Sequence, residues 1–555
     1  MLEHLKYQVA LLDQSVESCI RGQCMDREAA EYGTIPDINQ GITGPSSGAG
    51  VACRMVEGYC VPGSRYRWDE SLLMRARLGM EYTLKWMHED GTIDLVTTNF
   101  HDASETAFSI HGVGMAYLTL AAFGKGTEEE KKTLETMYRY IDRSADGMIH
   151  GGFHTPNHRW VHSAALALCW KVTGRQDCLD KLQLYLNEGI DCDEEGEYTE
   201  RSAGVYNVIC NRSLIYLAEI LGKRELLDHV ERNLTMVEKY FEPDHTVNTV
   251  NSSRQDVGTS PTWRIYYGDY LYMALRTGRG DFAWIADQML RECLAAPEFH
   301  EKSLLPRCDF LYFLLTDPGA EKAMARIQSQ APVPSFRKHF VKSGIVRARE
   351  GDLTLTLVKN NPLFARIQYG THVLFLRLAG SFYAKGQFAA QSIEDTEDGW
   401  RMRYAVRWGY KGPLDPPPET SDWRSMDHSR RPDVFMQDYV LTVDVSFGPG
   451  KVGLRIQSEG IERVPMKLEW LTESGALFDN DGIELRTRKG DYLYPKTERM
   501  RLVYPDRHAA TICGGFHSHD FGENMRGTIG GDNERVFVAF TGQTPIDQTV
   551  TVCFD

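Results

Sequence analysis

Several common catalytic signatures are missing from this chain. It has no G-x-x-x-x-G-K-[ST] loop, no G-x-G-x-x-G between a strand and a helix, no G-x-S-x-G and no H-E-x-x-H. Nucleotide chemistry, a serine nucleophile on a strand–helix elbow and zinc-protease chemistry therefore have no support in the sequence. The 12 cysteines form no C-x-x-C and no Cys/His cluster of zinc-finger spacing; Cys19 with Cys24 and Cys53 with Cys60 are the closest pairs. They read as reduced thiols that behave as small apolar residues. No apolar run approaches the roughly 20 residues of a membrane-spanning helix. The opening stretch MLEHLKYQVALLDQSVESC lacks the basic start and apolar block of a secretory signal. A cytoplasmic location without a membrane partner is therefore expected. Positive charge is also short: 62 Lys and Arg against 77 Asp and Glu give a net charge of −15. That argues against a nucleic-acid partner, but it leaves local arginines free to dominate one cleft.

What is present is an ordinary globular composition, 42% apolar and 25% charged, on 555 residues, more than one hydrophobic core serves. The patterning changes near residue 335. Before it, apolar residues recur at helical spacing in WDESLLMRARLGMEYTLKWMHEDG, TAFSIHGVGMAYLTLAAFG, WVHSAALALCWKVTG, NVICNRSLIYLAEILG, ELLDHVERNLTMVEKYF and DYLYMALRTG, most of them ending at Gly. After it the period is two, in DLTLTLV, HVLFLRLAG, RMRYAVRW, DYVLTVDVSF, KVGLRIQS, GIELRTR and RVFVAFTG. The expected fold is an α+β multidomain chain. An incomplete α/α toroid of helical hairpins over 1–330 is followed by an antiparallel β-sandwich over 331–555, with QAPVPSF as the linker. Residues 33–66 and 409–433 fit neither pattern and read as long loops able to cover a cleft.

Polar side chains cluster where loops turn into apolar helices. One cluster holds Asn99, His101, Asp102 and Glu105. The next, GGFHTPNHRW, holds His154, Asn157, His158, Arg159 and Trp160. Further on come Tyr198, Glu200, Arg201, Tyr206, Asn207, Asn211 and Arg212, then Asn251, Arg254, Gln255 and Asp256, then Trp263, Arg264, Tyr266 and Tyr267. In a ring of hairpins, one such junction per pair lies on the same rim, so the clusters converge on one cleft. Taken singly, each has a plainer reading. Asn157 fits a helix cap, His158 an ordinary satisfied histidine, Tyr206 a core residue, and Glu200 with Arg201 a structural ion pair. In the second half, His517, His519 and Asp520 in GGFHSHDFG place two histidines on one strand face, which fits either a divalent metal site or a polar loop.

The Asn157–His158 pair followed by Tyr206 in ERSAGVYN resembles the active-site pattern of the heparinase II/III-like and alginate-lyase-like polysaccharide lyases. The resemblance implies an α/α toroid followed by a β-sandwich, no required cofactor, and an acidic oligosaccharide or polysaccharide as substrate. It also implies cleavage of uronate glycans by β-elimination. The C5 proton is removed beside a carboxylate, and the C4 glycosidic oxygen is expelled. Asn157 and His158 would neutralise the carboxylate with preorganised donors. Tyr206 would act as the acid, and also as the base in a syn course; His158 would be the base in an anti course. A phenol with an ordinary pKa near 10 needs a cation beside it to serve as a base at neutral pH, and Arg201 and Arg212 are near in sequence. His101, Glu105, Arg159, Glu200, Arg254 and Arg264 are expected to hold substrate, with Trp160, Trp263 and Tyr267 stacking on sugar rings. The families' H-x-H-x-D segment near the start of the β domain is reduced here to His372 in QYGTHVLFLRLAGSF. Two readings compete with a lyase. A glycoside hydrolase would use a pair among Asp102, Glu105, Glu200 and Asp256, and a carbohydrate-binding protein would do no chemistry.

Overall fold

The computed structural model describes residues 2–295, 310–517 and 525–555. The chain divides into two compact units. One comprises Met1–Phe241 with Thr246–Pro332, and the other Glu242–His245 with Val333–Asp555.

The first unit is helical: α1 (Leu2–Gly22), α2 (Ser46–Cys60), α3 (Glu70–Lys85), α4 (Ala103–Phe123), α5 (Glu128–His150), α6 (His158–Thr173), α7 (Gln176–Asn187), α8 (Tyr206–Leu221), α9 (Leu227–Val237), α10 (Tyr267–Thr277) and α11 (Gly280–Ala295). From α2 onward each even-numbered helix packs on the helix after it and on the next even-numbered one. The hairpins thus form two concentric rows, the arrangement of an α/α toroid. Helix α1 lies against α2, and its His4 reaches Tyr267 of α10 and Asp287 of α11. Inner-row helices are covered on all sides: in α6 every residue from Trp160 to Cys169 is buried, which is why its sequence is apolar all round. The ends follow local chemistry. Asp69 accepts the Ser71 N–H to cap α3, Thr127 and Glu130 form a capping box on α5, and Gly174, Gly222 and Gly278 close α6, α8 and α10 in the left-handed region.

Two expectations need correction. The segment 33–66 is not one long loop, because Ser46–Cys60 is the inner helix α2. Its glycines, which read as loop formers, permit close helix packing: a Cβ on Gly48 would lie 2.2 Å from the Gly79 carbonyl oxygen. Helix α4 is, by length and composition, apolar enough to cross a membrane, contrary to the sequence reading. It packs between α2, α5 and α6 as an inner helix.

The second unit is a sandwich of an eight-stranded and a nine-stranded sheet. Ser335–Phe340 to His372–Gly380 form a five-strand antiparallel meander in the first sheet, followed across it by Pro465–Thr472 and Val536–Gln543. The two-residue strand Tyr492–Leu493 pairs in parallel at its edge. The second sheet centres on Gly399–Lys411, Asp433–Gly448, Lys451–Gly460 and Asp547–Phe554. Alternation sends Leu355, Ile367, Leu376 and Leu468 into the shared core, while Arg347, Thr354, Arg366 and Glu469 take the opposite face and are buried as well. On that face the Glu242 carboxylate sits 3.1 Å from Arg347, accepts from Thr354 Oγ1 at 2.7 Å and also pairs with Arg366. Removing one partner of a buried ion cluster strands the others. Glu242→Ala is therefore expected to cost about 3–5 kcal/mol in urea unfolding; a loss below about 1 kcal/mol would mean the arginines find other acceptors.

Candidate active site

The two junctions marked by sequence are joined by one side chain. Asn157 lies just before α6 in helical conformation and makes no capping bond with its side chain. Its Nδ2 donates instead to Glu200 Oε2 at 2.8 Å and to Thr155 Oγ1 at 3.0 Å. Oδ1 of the same amide is buried and has no hydrogen-bond partner among the described residues. The other Glu200 oxygen lies 3.5 Å from Arg254 Nε. The Arg254 guanidinium sits 5.0 Å from the Tyr206 ring centroid, and Gln255 Nε2 donates to Tyr206 Oη at 2.6 Å. Asn157, Glu200, Arg254, Gln255 and Tyr206 therefore form one connected set.

The backbone that presents it is tied down on both sides. Asp256 accepts from Ser202 Oγ at 2.9 Å, Ser252 Oγ at 2.6 Å and the Gly204 N–H at 3.0 Å. Gly204 permits that approach, since a Cβ there would lie 2.7 Å from Asp256 Oδ2. Ser202 Oγ accepts the N–H of Tyr206 at the start of α8, and the Glu200 carbonyl accepts from Ser253 N and Oγ. Asp256 and Ser253 thus hold two loops in register, so that residues some 50 apart in sequence face each other.

His158 is half-buried, edge-on to Phe108 at 5.8 Å, with Nδ1 lacking a hydrogen-bond partner among the described residues. Burial disfavours its charged form and pulls its pKa down to about 4, with Asp102 opposing and Arg254 reinforcing. Burial likewise raises the Glu200 carboxyl above the usual range, against Asn157 and Arg254. Phe108 also lines a cavity of about 360 Å³ with Arg54, Glu57, Glu105, Arg212 and Tyr216. Burial raises Glu105 too. A second cavity of about 480 Å³, shared with the first at Ser46 and Glu105, is lined by the 35–47 segment and Asp94–Val96.

Other expected substrate-binding residues are placed differently. Trp160 is fully buried with its Nε1 on Asp191, Trp263 is buried with Nε1 on Glu292, and Tyr267 is buried with its hydroxyl on His4. None of these rings is offered to a sugar. Arg159 is ion-paired with Glu188 and Asp191. His101, in the left-handed region, bonds Asp90 and stacks on His88 at 3.8 Å. Arg264 Nε donates to Thr262 Oγ1. The cation on Tyr206 is Arg254 rather than Arg201 or Arg212: Arg212 lines the cavity, and Arg201, also in the left-handed region, exerts its charge on Glu197. Glu200 accordingly pairs with Arg254 and not with Arg201. Glu197, which no sequence pattern marks, is buried and raised by that burial to about 7, with the Tyr240 hydroxyl donating to it. In the second unit, His517 packs on Phe540; His519 and Asp520 lie outside the described residues, and so does the metal site expected there.

No family model matches the sequence, and no curated protein matches it. Solved structures do. A heparinase III matches with a TM-score of 0.55 and 10% identity over 98% of this chain and 84% of that one. A chondroitin AC lyase from Streptomyces coelicolor A3, solved in complex with chondroitin sulphate, matches with a TM-score of 0.55 and 13% identity over 99% and 79%. A xanthan lyase from Paenibacillus matches with a TM-score of 0.57 and 8% identity over 99% and 57%. The chain has the fold of the polysaccharide lyases, a helical toroid followed by an antiparallel β domain, as the sequence resemblance implied.

Because burial lowers its pKa, His158 stays neutral from alkaline pH down to about pH 5. Titration of ring signals by NMR of the unliganded protein is expected to give His158 a midpoint near 4; a midpoint near 6.5 would contradict the burial found here.

Proposed function

We propose that this protein is a lyase that cleaves uronate-containing oligosaccharides or polysaccharides by syn β-elimination. The observation that carries the reading is the connected set Asn157–Glu200–Arg254–Tyr206. It brings a carboxylate-binding amide and a phenol with a cation and an N–H donor around it to one place. Elimination needs the negative charge on the substrate carboxylate offset before the C5 proton becomes acidic enough to leave. Asn157 and the neutral ring N–H of His158 are the donors for that carboxylate. Tyr206 takes the C5 proton and returns it to the C4 oxygen, while Arg254 and Gln255 stabilise the phenolate between the two transfers.

Glu200 decides which way the Asn157 amide faces. When Glu200 is ionised, both amide hydrogens are used internally and Oδ1 is left over. A substrate carboxylate arriving beside Glu200 favours its protonated form, which burial favours already. Protonated Glu200 donates to Asn157 Oδ1, and Nδ2 turns to the substrate. A syn course is favoured over an anti one because a histidine whose conjugate acid has a pKa of about 4 is a weak base. Syn elimination requires H5 and O4 on the same ring face, as in glucuronate and mannuronate; in iduronate and guluronate they lie on opposite faces. Hydrolysis is the weaker reading. Of the four carboxylates a hydrolase would draw on, Asp102 is occupied in capping α4 and bonding Asn99, Asp256 in tying loops and Glu200 in holding Asn157 beside Arg254, and Glu105 alone lines a cavity.

The test is a panel of the four uronates, following far-ultraviolet absorbance from a new C4–C5 double bond and reducing ends together. Both are expected to rise together on a glucuronate or mannuronate substrate; reducing ends without absorbance would mean hydrolysis. Tyr206→Phe is expected to lose about 10²–10⁴-fold in kcat and Asn157→Ala about 10²–10³-fold. Glu200→Ala should lose activity comparably to Asn157→Ala, whereas Glu200→Gln, which still donates to Oδ1, should retain most of it. Equal collapse of both Glu200 variants would make Glu200 an acid–base group rather than a positioning residue.

A further inference from the structure

In the second unit, one strand carries aromatic side chains beyond the core. Along Gly399–Lys411, Trp400 and Met402 are buried in the sandwich, and Tyr404 and Val406 pack partly against it. Alternation puts Trp408 and Tyr410 on that same face. They are nevertheless 43% and 59% exposed.

Two irregularities shape the surface around these rings. The first is a bulge in the neighbouring strand Asp433–Gly448. Val434 pairs with Tyr410 and Gln437 with Trp408, so Phe435 and Met436 both stand opposite Gly409. Phe435 takes φ +51° and is 79% exposed. Gly409 permits the bulge, since a Cβ there would lie 2.8 Å from the Val434 carbonyl oxygen. The second is the turn after the strand His372–Gly380. Tyr383 and Ala384 are both left-handed, at φ +44° and +56°. Lys385 N donates to the Phe382 carbonyl, and the Tyr404 hydroxyl donates to the Lys385 carbonyl. This turn sets Tyr383 edge-on to Tyr410 at 5.4 Å and the Lys385 ammonium 4.8 Å from the Trp408 ring centroid. Bulges re-aim side chains, and bulky residues are held in the left-handed region mainly where a ligand is gripped.

We infer that Tyr383, Lys385, Trp408 and Tyr410 form a binding face for an acidic glycan chain, with sugar rings on the aromatic rings and a sugar carboxylate on Lys385. The C–H face of a pyranose is apolar and weakly positive, and it meets the negative face of an aromatic ring. Trp408 and Tyr410 stand about 7 Å apart along the strand, so successive sugars each find a ring. The indole N–H and the phenol hydroxyl sit at the ring edges, where sugar hydroxyls can reach them. Lys385 selects for charge. Among the described residues it has no acidic partner, so its ammonium is available to an anion beside the Trp408 ring. A lipid surface calls for an aliphatic stripe, whereas the neighbours across the ladder are Gln437 and Val434. The ligand class rests on the uronate substrate proposed above.

The test measures binding by calorimetry in full-length Tyr206→Phe, which leaves the glycan intact. The probes are a glucuronate polymer, a mannuronate polymer and a neutral glucan of similar length. An acidic polymer is expected to bind, and adding Trp408→Ala with Tyr410→Ala should weaken it about tenfold or more at unchanged Tm. Trp408→Phe with Tyr410→Phe keeps the ring faces and should retain most of the binding. Lys385→Gln should narrow the preference for acidic over neutral polymer. Equal binding with and without the alanine pair, or equal loss in the alanine and phenylalanine pairs, would overturn the inference. So would phosphatidylcholine vesicle binding or self-association that the alanine pair abolishes while glycan binding persists. Ring-dependent binding in a chain whose Tyr206 form cleaves none of the uronates would leave this face standing and sink the lyase reading. Cleavage with ring-independent binding would do the reverse.

Discussion

The contact on which the candidate site depends is the one made by the buried Glu200 carboxylate. One oxygen receives the Asn157 amide and the other faces Arg254, while the Glu200 backbone carbonyl anchors Ser253. Three loop-to-helix junctions meet at this residue. A carboxylate out of water is costly unless its lone pairs are satisfied. Here Asn157 satisfies one oxygen, and the other, without a hydrogen bond among the described residues, faces the Arg254 charge, so structure and chemistry are linked through one side chain.

The fold makes such a meeting possible. Two concentric rows of helices return the chain to the same rim once per hairpin, and each inner helix begins where a loop delivers its polar residues. The loops are held by side chain to backbone bonds rather than by regular structure: Asp256 on Ser202 and Gly204, Ser202 on the Tyr206 N–H, Tyr266 on the Ala203 carbonyl. This fixes the start of α8 and with it Tyr206. The same low-dielectric surroundings raise Glu200 and Glu105 and depress His158, so the two acids and the imidazole all move toward their neutral forms.

Much of this was legible in the sequence, for identifiable reasons. Glycine stops and an apolar period near 3.6 marked α3, α4, α6, α8, α9 and α10, and alternation marked the strands. The junctions holding Asn157 and Tyr206 stood out because polar groups were concentrated at helix starts. Helix α2 was not legible, because glycine is ambiguous: the feature that lets α2 pack closely on α3 also looks like a loop. The aromatic residues Trp160, Trp263 and Tyr267 misled for a related reason. Each has an apolar body and one polar tip, and the tip is satisfied internally by Asp191, Glu292 or His4, which a sequence cannot distinguish from exposure to a ligand. The cation for Tyr206 came from a residue 48 positions downstream, across a loop contact that no local spacing encodes.

The central claim is that Asn157 and His158 receive a uronate carboxylate while Tyr206 faces its C5 proton and C4 oxygen. The most direct measurement is a crystal structure of Tyr206→Phe holding an intact glucuronate or mannuronate oligosaccharide. The account predicts the carboxylate within hydrogen-bond distance of Asn157 Nδ2, with Glu200 on Oδ1, and the residue 206 ring beneath C4 and C5. A carboxylate bound away from Asn157, with the Asn157 amide still turned toward Glu200, would contradict it.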